Sequence, residues 1–423
     1  MDILLVNVPI YWAGRLRPVY PLGLAFIATY LESLGHEVEL WDLNLYSDPF
    51  GALERALRRR DWPLVGVSLR NAYTMDRPSF PELKQVVQTI KRVRPQATVV
   101  CGGAGFSHYP EQYMKLIPEI DYGVFGEGEL VMRRLVEGNM NPADFVYRRN
   151  EGEVVAPTAQ VAGEIVEMRP LKYDWIGLDI KRYKRIGIQT KRGCPYRCGF
   201  CIEPVLTSFK VHYFGDEWVE QTLEGLMRLG RKKFFITDAV FNAPLECAES
   251  VLPVLKRIGG DYHAFVKPMR LTESFLERMI DAGFSTITVS VESGSRRVLE
   301  TYRAPIELDR ALEFPRFFRK RKDVDSHFTF ILGFKRSTMW EELKTLWAMW
   351  LVAWRSRFRS RVVFEPYYIP PRTIDADSSE FNPDPRKHKT RWPLVRFALF
   401  KAAALMQRIT DILGSSPFMA GKQ

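Results

Sequence analysis

Apolar residues in the first 140 positions recur with two alternating periods. Short, nearly continuous apolar runs predict buried strands, and the segments between them have the spacing of amphipathic helices. The predicted strands cover residues 3–9, 37–44, 64–69, 97–103 and 121–126, and the predicted helices cover residues 22–34, 50–60, 80–93, 110–117 and 128–137. Strands that alternate with helices in this way are typical of a parallel sheet covered on both faces. We therefore predict an α/β fold with an N-terminal doubly wound, Rossmann-like domain at residues 1–140.

A second alternation of strands and helices begins after residue 182. Its predicted strands cover residues 183–191, 232–238, 262–267, 285–292, 327–334 and 362–368, and its predicted helices cover residues 217–229, 244–257, 273–282, 308–320 and 339–353. Six strands separated by helices predict a partial (β/α)6 barrel at residues 183–368, with functional groups at the strand ends and in the loops after them. Residues 141–182 are predicted to be a linker that contains a hairpin, with strands at 145–149 and 154–157.

The last segment, residues 369–423, begins with a proline-rich stretch and continues with a predicted helix at 392–413. This helix is amphipathic and carries several basic residues. A basic amphipathic helix can lie on a membrane surface, but such helices more often pack on their own protein. We therefore predict a helical C-terminal extension that packs on the rest of the chain, and we do not favour peripheral membrane contact.

Charge and composition exclude few classes of protein. The chain of 423 residues has a formal net charge of +11 and a calculated pI near 9.3, so its surface attracts anions. The basic residues are spread over short patches without a recognised RNA-binding module, so a nucleic-acid partner is not favoured. No apolar run reaches the roughly 20 residues of a transmembrane helix, and the first residues predict a strand rather than a signal peptide. These features predict a cytoplasmic location.

Three of the five cysteines stand close together, as Cys194, Cys198 and Cys201 in a CxxxCxxC run. A disulfide bond joins two thiols, so at least one of the three would stay unpaired. A structural zinc ion usually takes four protein ligands, and no further Cys or His stands near enough in the sequence to be an obvious fourth. A [4Fe–4S] cluster held by three cysteines keeps one iron free for a small molecule. The spacing therefore favours a catalytic iron–sulfur cluster.

The cysteine run, with an aromatic residue at Phe200 before the third cysteine, resembles the motif of the radical S-adenosylmethionine (SAM) enzymes. The resemblance implies that the three cysteines bind the [4Fe–4S] cluster and that the open iron chelates the amino and carboxylate groups of SAM. It also implies that one-electron reduction cleaves SAM to a 5′-deoxyadenosyl radical and that Phe200 lies against the adenine.

Strand ends of the predicted barrel also resemble elements of this family, and their polar residues are candidate SAM contacts. The candidates are Asp238, Ser290 and Glu292, with Arg270 as a candidate partner of the SAM carboxylate. The alternative interpretation is that Asp238 and Glu292 cap helices or pair with Lys191 or Arg270.

Polar and glycine-rich segments follow three predicted strands of the first domain, at residues 68–71, 102–105 and 126–129. Because a radical SAM motif follows, these segments resemble the cobalamin-binding domain of the B12-dependent radical SAM enzymes. The resemblance implies that cobalamin lies on the strand ends. The candidate contacts are Ser68, Asn71, Gly102, Gly103, Gly126 and Glu127.

The sequence lacks the Asp-x-His-x-x-Gly motif that supplies a histidine to cobalt in the cobalamin mutases. Arg70, at the end of the third predicted strand, is our candidate for the lower face of cobalt. A guanidinium is permanently charged and a poor metal ligand, so Arg70 would exclude a lower axial ligand rather than supply one. The alternative is that Arg70 pairs with Asp76 or with an amide of the corrin.

Both resemblances together imply a cobalamin-dependent radical SAM enzyme, and we predict a C-methyltransferase. It would move a methyl group from SAM, via methylcobalamin, to an unactivated carbon of a small-molecule substrate, with electrons from a flavodoxin- or ferredoxin-type reductant. An unactivated C–H bond offers no nucleophile, so radical chemistry replaces acid–base chemistry there. Two alternatives stay open. One is a non-methylating cyclisation, ring contraction or oxidation with the same cofactors, and the other is an RNA-modifying protein.

Overall fold

The computed structural model describes residues 1–72, 78–140, 146–150, 152–157, 168–207, 209–367, 373–375 and 393–413, and for residues 150 and 393–397 it describes the backbone alone. Asp76, the alternative partner of Arg70, lies outside these residues.

The N-terminal part of the chain forms two layers of helices around one sheet. Its strands are β1 (Asp2–Asn7), β2 (Tyr11–Trp12), β3 (Arg15–Leu16), β4 (Glu37–Asp42), β5 (Leu64–Ser68), β6 (Thr98–Gly102), β7 (Tyr122–Val124), β8 (Val146–Asn150) and β9 (Glu153–Val155). Its helices are α1 (Leu22–Ser33), α2 (Pro49–Arg58), α3 (Phe80–Val93), α4 (Pro110–Leu116) and α5 (Glu129–Val136), with 3-10 turns at Leu43–Leu45 and Phe106–His108. β2 and β3 form a separate antiparallel pair.

The large sheet has the order β4-β1-β5-β6-β7-β8-β9, and its first five strands in that order are parallel. Helices α1 and α5 pack on one face, and α2, α3 and α4 pack on the other. This is the doubly wound arrangement that the sequence predicted. The strand order reverses between β1 and β5, and ligands of such sheets bind at the carboxyl ends of the strands beside that point.

The predicted hairpin is present, but it does not behave as part of a linker. β8 pairs antiparallel with β7, and β9 pairs antiparallel with β8, so the hairpin extends the N-terminal sheet. The sequence missed this contact because an added antiparallel edge strand leaves no local signal of its partner. The predicted boundary at residue 140 therefore cuts through a continuous sheet.

The second half of the described chain is a partial barrel. Its strands are β10 (Ile186–Ile188), β11 (Lys191–Arg192), β12 (His212–Tyr213), β13 (Lys233–Ile236), β14 (Asp261–Val266), β15 (Phe284–Glu292), β16 (Asp325–Leu332) and β17 (Arg361–Pro366). Its helices are α6 (Glu203–Leu206), α7 (Asp216–Arg228), α8 (Leu245–Ile258), α9 (Glu273–Asp281), α10 (Arg296–Thr301), α11 (Leu308–Lys320) and α12 (Met339–Arg355), after a 3-10 turn at Ile180–Arg182. Six strands pair in parallel in the order β10-β13-β14-β15-β16-β17, which is the predicted partial (β/α)6 barrel.

Side chains alternate across the barrel strands. On β14, Tyr262 and Ala264 are buried under the outer helices, whereas His263 and Phe265 are half-buried on the inner face. The same alternation places His327 and Thr329 of β16 on the inner face. The inner face is therefore a chamber of mixed aromatic and polar groups.

The last helix, α13 (Pro393–Leu413), lies against β17 and α12. The backbone N–H of Val362 donates to Thr410 Oγ1 at 3.1 Å, and that of Phe364 donates to Gln407 Oε1 at 3.3 Å. Both donors belong to the last strand of the barrel, so α13 caps an otherwise open sheet edge. The predicted helix is confirmed over the described residues; Trp392 lies outside them.

Candidate active site

The cysteine loop lies between β11 and α6, at the carboxyl end of the barrel. Cys194 and Cys198 are buried, Cys201 is half-buried, and all three thiols are free. The backbone N–H of Cys201 donates to the carbonyl of Cys198 at 3.1 Å, which folds the loop back on itself. Gly193 precedes the first cysteine with φ +89°, and a Cβ there would meet the Lys210 carbonyl oxygen at 1.9 Å. Only glycine fits this entry to the loop.

The environment of the thiols suits an iron–sulfur cluster. Burial raises the pKa of Cys194, raises that of Cys198 to about 11 and raises that of Cys201 to about 12, so protein groups alone do not favour the thiolates. A bound metal supplies the positive charge that deprotonates such thiols. Within the described ranges, no three Cys, His, Asp or Glu side chains converge as ligands of one metal ion. Three thiolates of a cluster bind different irons, so the three cysteines fit that group better than a single zinc ion.

Asp238, a predicted SAM contact, is instead bound within the protein. Its carboxylate accepts hydrogen bonds from the Thr190 N–H at 2.8 Å and the Thr190 hydroxyl at 2.5 Å, and from Lys191 Nζ at 3.0 Å. The side chains of Asp238 and Lys191 are completely buried. The alternative pairing with Lys191 is therefore the observed one, because the carboxylate follows β13 beside the chain that leads into the cysteines. Asp238 fixes the start of the cysteine loop.

Glu292, the second predicted carboxylate, also forms an ion pair. Its Oε1 accepts from Lys267 Nζ at 3.2 Å, and both side chains are almost fully buried. The partner is Lys267 rather than Lys191 or Arg270, since β14 and β15 end side by side. Burial alone would lower the pKa of Lys267, but Glu292 and Cys198 raise it overall, so the amine stays charged beside the cysteines.

The backbone of Glu292 is unusual, with φ +64° at the irregular end of β15. A non-glycine residue in this region is disfavoured, and such strain collects at functional sites. The side chain of Glu292 is thus held in place at an energetic cost, which favours a functional role.

Asn242 is a residue that sequence reasoning missed. Its side-chain amide donates to the Lys267 carbonyl and accepts from the Lys267 N–H, both at 2.9 Å. This pair of bonds fixes the backbone that carries the Lys267 ammonium. Asn242 stands four residues after the candidate Asp238, in the loop after β13, so its position at a strand end was available as a signal.

Phe200 packs into a small aromatic cluster on the other side of the loop. Its ring lies 5.7 Å from Phe334 and 6.3 Å from Tyr302, centroid to centroid. The backbone N–H of the neighbouring Gly199 donates to the Tyr302 carbonyl at 2.6 Å, and the Gly199 carbonyl accepts from the N–H of Ile374 at 2.9 Å. The loop is thus held by backbone contacts on both sides.

Asp375 was not a candidate, yet it organises this cluster. Its buried carboxylate accepts from the hydroxyls of Tyr302 and Tyr367, the latter at 2.9 Å, and from Arg336 Nε at 2.7 Å. Asp375 stands in the proline-rich segment, where nothing in the sequence marks it as part of a site. The described residues 373–375 therefore form a strap over the cysteine loop.

Two further predicted SAM contacts keep accessible positions. Ser290 is half-buried on the inner face of β15, two residues before Glu292. Arg270 is exposed after β14, and its charge acts on Tyr196 inside the cysteine run. Both residues therefore lie at the barrel mouth, and their contacts with SAM stay predictions.

The predicted cobalamin contacts lie at the carboxyl ends of β5, β6 and β7. Ser68 is half-buried and Asn71 is exposed. Gly103 has φ +95°, and a Cβ there would lie 2.7 Å from both Leu69 O and Ser68 Oγ. A Cβ on Gly102 would make only an ordinary contact with Val124, at 3.4 Å. Close packing of the chain on itself therefore accounts for Gly103, and cobalamin contact stays a prediction for all four residues.

Gly126 and Glu127 lie where the two domains meet. A Cβ on Gly126 would lie 2.8 Å from the carbonyl oxygen of Leu206, in the helix that follows the cysteines. Arg192, just before the cysteine loop, donates to Glu127 at 3.2 Å and to Glu129 at 3.0 Å. The structure thus gives Glu127 an interdomain partner that the sequence did not suggest.

Arg70 is half-buried just after β5, at the reversal of the strand order. Burial lowers its pKa, and the nearby Asp42 opposes this effect. Asp42 is itself buried and accepts from Asn7 at 2.8 Å, Asn44 at 2.7 Å and the Tyr183 hydroxyl at 2.6 Å. A hydrogen-bonded polar cluster centred on Asp42 therefore stands beside the half-buried guanidinium of Arg70, and sequence reasoning missed it.

Comparison with known proteins covers both halves of the chain. The family description "B12 binding domain" matches residues 13–136, and "Radical SAM superfamily" matches residues 188–346. An uncharacterized methyltransferase of Pyrococcus horikoshii is 25% identical over 347 residues, which is 77% of this chain and 72% of that protein. Tryptophan 2-C-methyltransferase of Streptomyces laurentii is 25% identical over 372 residues, which is 70% of this chain and 61% of that protein.

A solved structure has the same fold. The radical SAM methyltransferase TsrM from Kitasatospora setae, with cobalamin and a [4Fe–4S] cluster bound, superposes with a TM-score of 0.77 at 22% identity over 88% of this chain and 73% of that chain. The two domains and the cysteine loop define a radical SAM enzyme with a B12-binding domain, whose cofactors are the [4Fe–4S] cluster, SAM and cobalamin. The chain therefore combines a B12-binding domain with a domain of the radical SAM superfamily, and it is homologous to cobalamin-dependent radical SAM methyltransferases.

Proposed function

We propose that this enzyme is a C-methyltransferase that moves a methyl group from SAM, by way of cobalamin, to an unactivated carbon of a small molecule. One observation carries the proposal: the chain directly after the cysteines is built into the N-terminal domain. Ile202 and Leu206 belong to the same buried core as Val67 and Phe125, which flank the strand ends of that domain. The two candidate cofactor sites therefore share one interface, and methyl transfer between them needs such proximity.

Within the barrel, the residues of the cysteine loop would hold the cluster, and their neighbours would hold SAM. When bound, the cluster and SAM supply radical chemistry, and cobalamin supplies a methyl carrier. The buried Lys267 ammonium adds positive charge beside Cys198, which favours the thiolate there. The carboxylate of Glu292 accepts from Lys267 and keeps this ammonium in place. Ser290, Phe200 and exposed Arg270 are our proposed contacts for the ribose, adenine and carboxylate of SAM.

In the N-terminal domain, Arg70 would lie against the lower face of cobalt. Its place at the reversal of the strand order supports this role, because ligands of doubly wound sheets bind there. A guanidinium does not ligate cobalt, so Arg70 would keep that face free of a protein or water ligand.

The inner face of the barrel supports an organic, largely apolar methyl acceptor. Phe235 and Phe265 stand there, and burial is the main cause that lowers the pKa of His263 to about 3 and that of His327 to about 4. Both imidazoles are therefore neutral at pH 7. A carbon acceptor also has a precedent in the relative named tryptophan 2-C-methyltransferase.

The test is anaerobic reconstitution of the full chain with iron, sulfide and hydroxocobalamin, followed by incubation with SAM and a one-electron reductant. Methyl loss from SAM gives S-adenosylhomocysteine, and reductive cleavage of a second SAM gives 5′-deoxyadenosine. Methyl transfer to an unactivated carbon forms both products, whereas a non-methylating radical reaction forms 5′-deoxyadenosine alone. We expect S-adenosylhomocysteine in an amount that depends on bound corrin.

Three outcomes contradict the proposal in different ways. A chain that retains no corrin overturns both methyl transfer and the alternative radical reactions. Bound corrin with 5′-deoxyadenosine alone assigns the non-methylating alternative. Cys198→Ala should lose the cluster and retain corrin, whereas Cys247→Ala, a lone half-buried cysteine, should retain both; equal losses from the two variants would contradict the cluster assignment.

A further inference from the structure

Helix α12 is a surface helix whose exposed side is apolar. Seven of its residues are exposed: Met339, Trp340, Leu343, Lys344, Trp347, Trp350 and Trp354. Six of the seven are large and apolar, and Trp340 and Trp354 are 71% and 60% exposed. Steps of three and four residues keep Trp340, Leu343 and the later tryptophans on one side of the helix. A helix on the outside of a domain normally presents polar residues on this side.

The acidic residues of α12 point away from this side. Glu341 and Glu342 are buried, and Glu341 binds the guanidinium of Arg297 while Glu342 accepts from the Gly333 N–H at 2.8 Å. Among the exposed positions of the helix, Lys344 is the charged one. The exposed side of α12 is therefore apolar and positively charged.

The tryptophans of this side stack on one another rather than pack into the protein. The ring centroid of Trp350 lies 4.8 Å from that of Trp347 and 5.4 Å from that of Trp354, and the rings are nearly parallel. Buried tryptophans elsewhere donate their indole N–H to a protein oxygen, as Trp62 does to the Ala56 carbonyl at 3.0 Å and Trp41 does to the Glu39 carboxylate at 3.0 Å. In the described part of the chain, the indoles of α12 have no such acceptor. Each has an apolar body and a polar tip that needs a partner outside the protein.

Helix α13 continues this surface. It contacts α12 and β17, and its exposed apolar residues are Leu405, Ile409, Ile412 and Leu413. Lys401 and Arg408 are exposed on the same helix. Of the sixteen exposed large apolar residues in the described chain, ten lie on α12 and α13. We call the exposed residues of these two helices the tryptophan face.

We propose that the tryptophan face binds the surface of an anionic lipid bilayer. Indole rings prefer the boundary between headgroups and acyl chains, where the body of the ring is buried and its N–H meets a polar group. Lysine and arginine beside such rings are attracted to anionic headgroups. No described helix is long and apolar enough to cross a membrane, so the contact is peripheral.

Charge decides between a bilayer and a second copy of this chain. Two copies joined through this face would bring Lys344, Lys401 and Arg408 toward the same residues of the partner copy, and like charges oppose such a contact. An anionic surface is attracted by the same three residues. This inference is independent of the proposed methyl transfer, because it uses the outer wall of the barrel and not its mouth.

The test is flotation of the full chain with vesicles of phosphatidylcholine that contain about 30% phosphatidylglycerol, compared with vesicles of phosphatidylcholine alone. We expect flotation with the anionic vesicles in about 0.1 M salt and weaker flotation in about 1 M salt, where the Debye length falls from about 10 Å to about 3 Å. The double variant Trp347→Gln/Trp354→Gln should lower the fraction bound by about tenfold or more, because it removes two large apolar anchors. The control Leu116→Gln/Ile176→Gln changes two exposed apolar residues outside the face and should float like the natural chain.

Circular dichroism checks that both double variants are folded, and light scattering measures the oligomeric state. Failure of the natural chain to float with anionic vesicles overturns the proposal. Equal flotation of the tryptophan variant and the natural chain also overturns it. A dimer that the tryptophan variant converts to a monomer would assign the face to a second copy instead.

Discussion

The carboxyl ends of the two sheets are organised by different forces. At the N-terminal sheet, neighbouring backbone atoms occupy the space that a Cβ on Gly103 or Gly105 would need. The Asp42 carboxylate there accepts hydrogen bonds from two side-chain amides and a tyrosine hydroxyl. At the barrel, two ion pairs, Lys191 with Asp238 and Lys267 with Glu292, are buried next to the cysteines. Close packing and hydrogen bonds therefore shape the first end, where Arg70 lies near the Asp42 carboxylate, and two buried ion pairs shape the second end.

The largest expected effect tests the charged end. Asp238→Asn removes the counter-charge of a fully buried Lys191 ammonium. Loss of one partner from such a pair costs about 3–5 kcal/mol of the free energy of unfolding. Glu249→Gln is the matched control, because it breaks an exposed pair with Arg278 and should cost about 1 kcal/mol or less. Anaerobic guanidinium denaturation followed by circular dichroism measures the free energy of unfolding of both variants. Equal losses of this free energy would show that burial does not make the pair of Lys191 and Asp238 more important for stability.

An intermediate effect tests the packed end. A Cβ on Gly105 would lie 2.4 Å from the carbonyl carbon of Asn71 and 2.5 Å from the backbone nitrogen of Ala72. Gly105→Ala should therefore cost about 1–3 kcal/mol, as overpacking does, and should reduce corrin retention. Gly23→Ala meets nothing within 4 Å and should be neutral or slightly stabilising.

The Gly105 variant sharpens the comparison because it should leave the barrel intact. Iron and sulfide contents per chain should stay at the natural level while corrin absorbance after gel filtration falls. Full corrin retention by Gly105→Ala would contradict the view that packing shapes this end of the sheet.

The smallest expected effect tests the interior of the barrel, where two histidines are kept neutral by burial. His263 and His327 lie deeper on the inner face, with Arg185, Arg361 and Asp261 acting on them. Burial is the largest cause that depresses their pKa values below the unfolded value of about 6.5, so the unfolded chain takes up protons first as the pH falls. Their stabilisation is fully present above pH 6.5 and is lost below it.

Between pH 7 and pH 5.5, each imidazole should account for about 1 kcal/mol of the lost free energy of unfolding. Unfolding curves of His263→Gln at the two pH values measure this difference, which should shrink by that amount. An unchanged difference would mean that His263 is accessible to water and protons in the folded chain.

Most of the fold could be predicted because its signals are local. The apolar runs and helical periods located all eleven predicted parallel strands of the two sheets within a few residues of their observed ends. The pairing of β8 with β7 was not predictable, because it depends on where a sheet edge lies in space. The site divides in the same way. The cysteines could be predicted from their spacing in the sequence. The partners of Asp238 and Glu292 could not, because they depend on which strand ends are neighbours in the sheet.

Other residues of the site could not be predicted from the sequence, each for a different physical reason. Asp375 lies far along the chain from the loop it holds, in a segment without periodic pattern. The glycines of the first domain are ambiguous, since a missing Cβ can make room for a ligand or for the chain itself. The tryptophans of α12 had the spacing of a helical side, but spacing does not tell whether a side faces the core or the solvent.

Asp375 is synthesised after the cysteine loop that it helps to hold. The ribosome releases the cysteine loop long before the residue whose carboxylate holds Tyr302 and, through it, the backbone of Gly199. Until that late segment arrives, the nascent loop lacks one of its two lateral supports. The cysteine loop therefore gains this support only after residue 375 has been synthesised, and we expect cluster assembly to be favoured once that segment is in place.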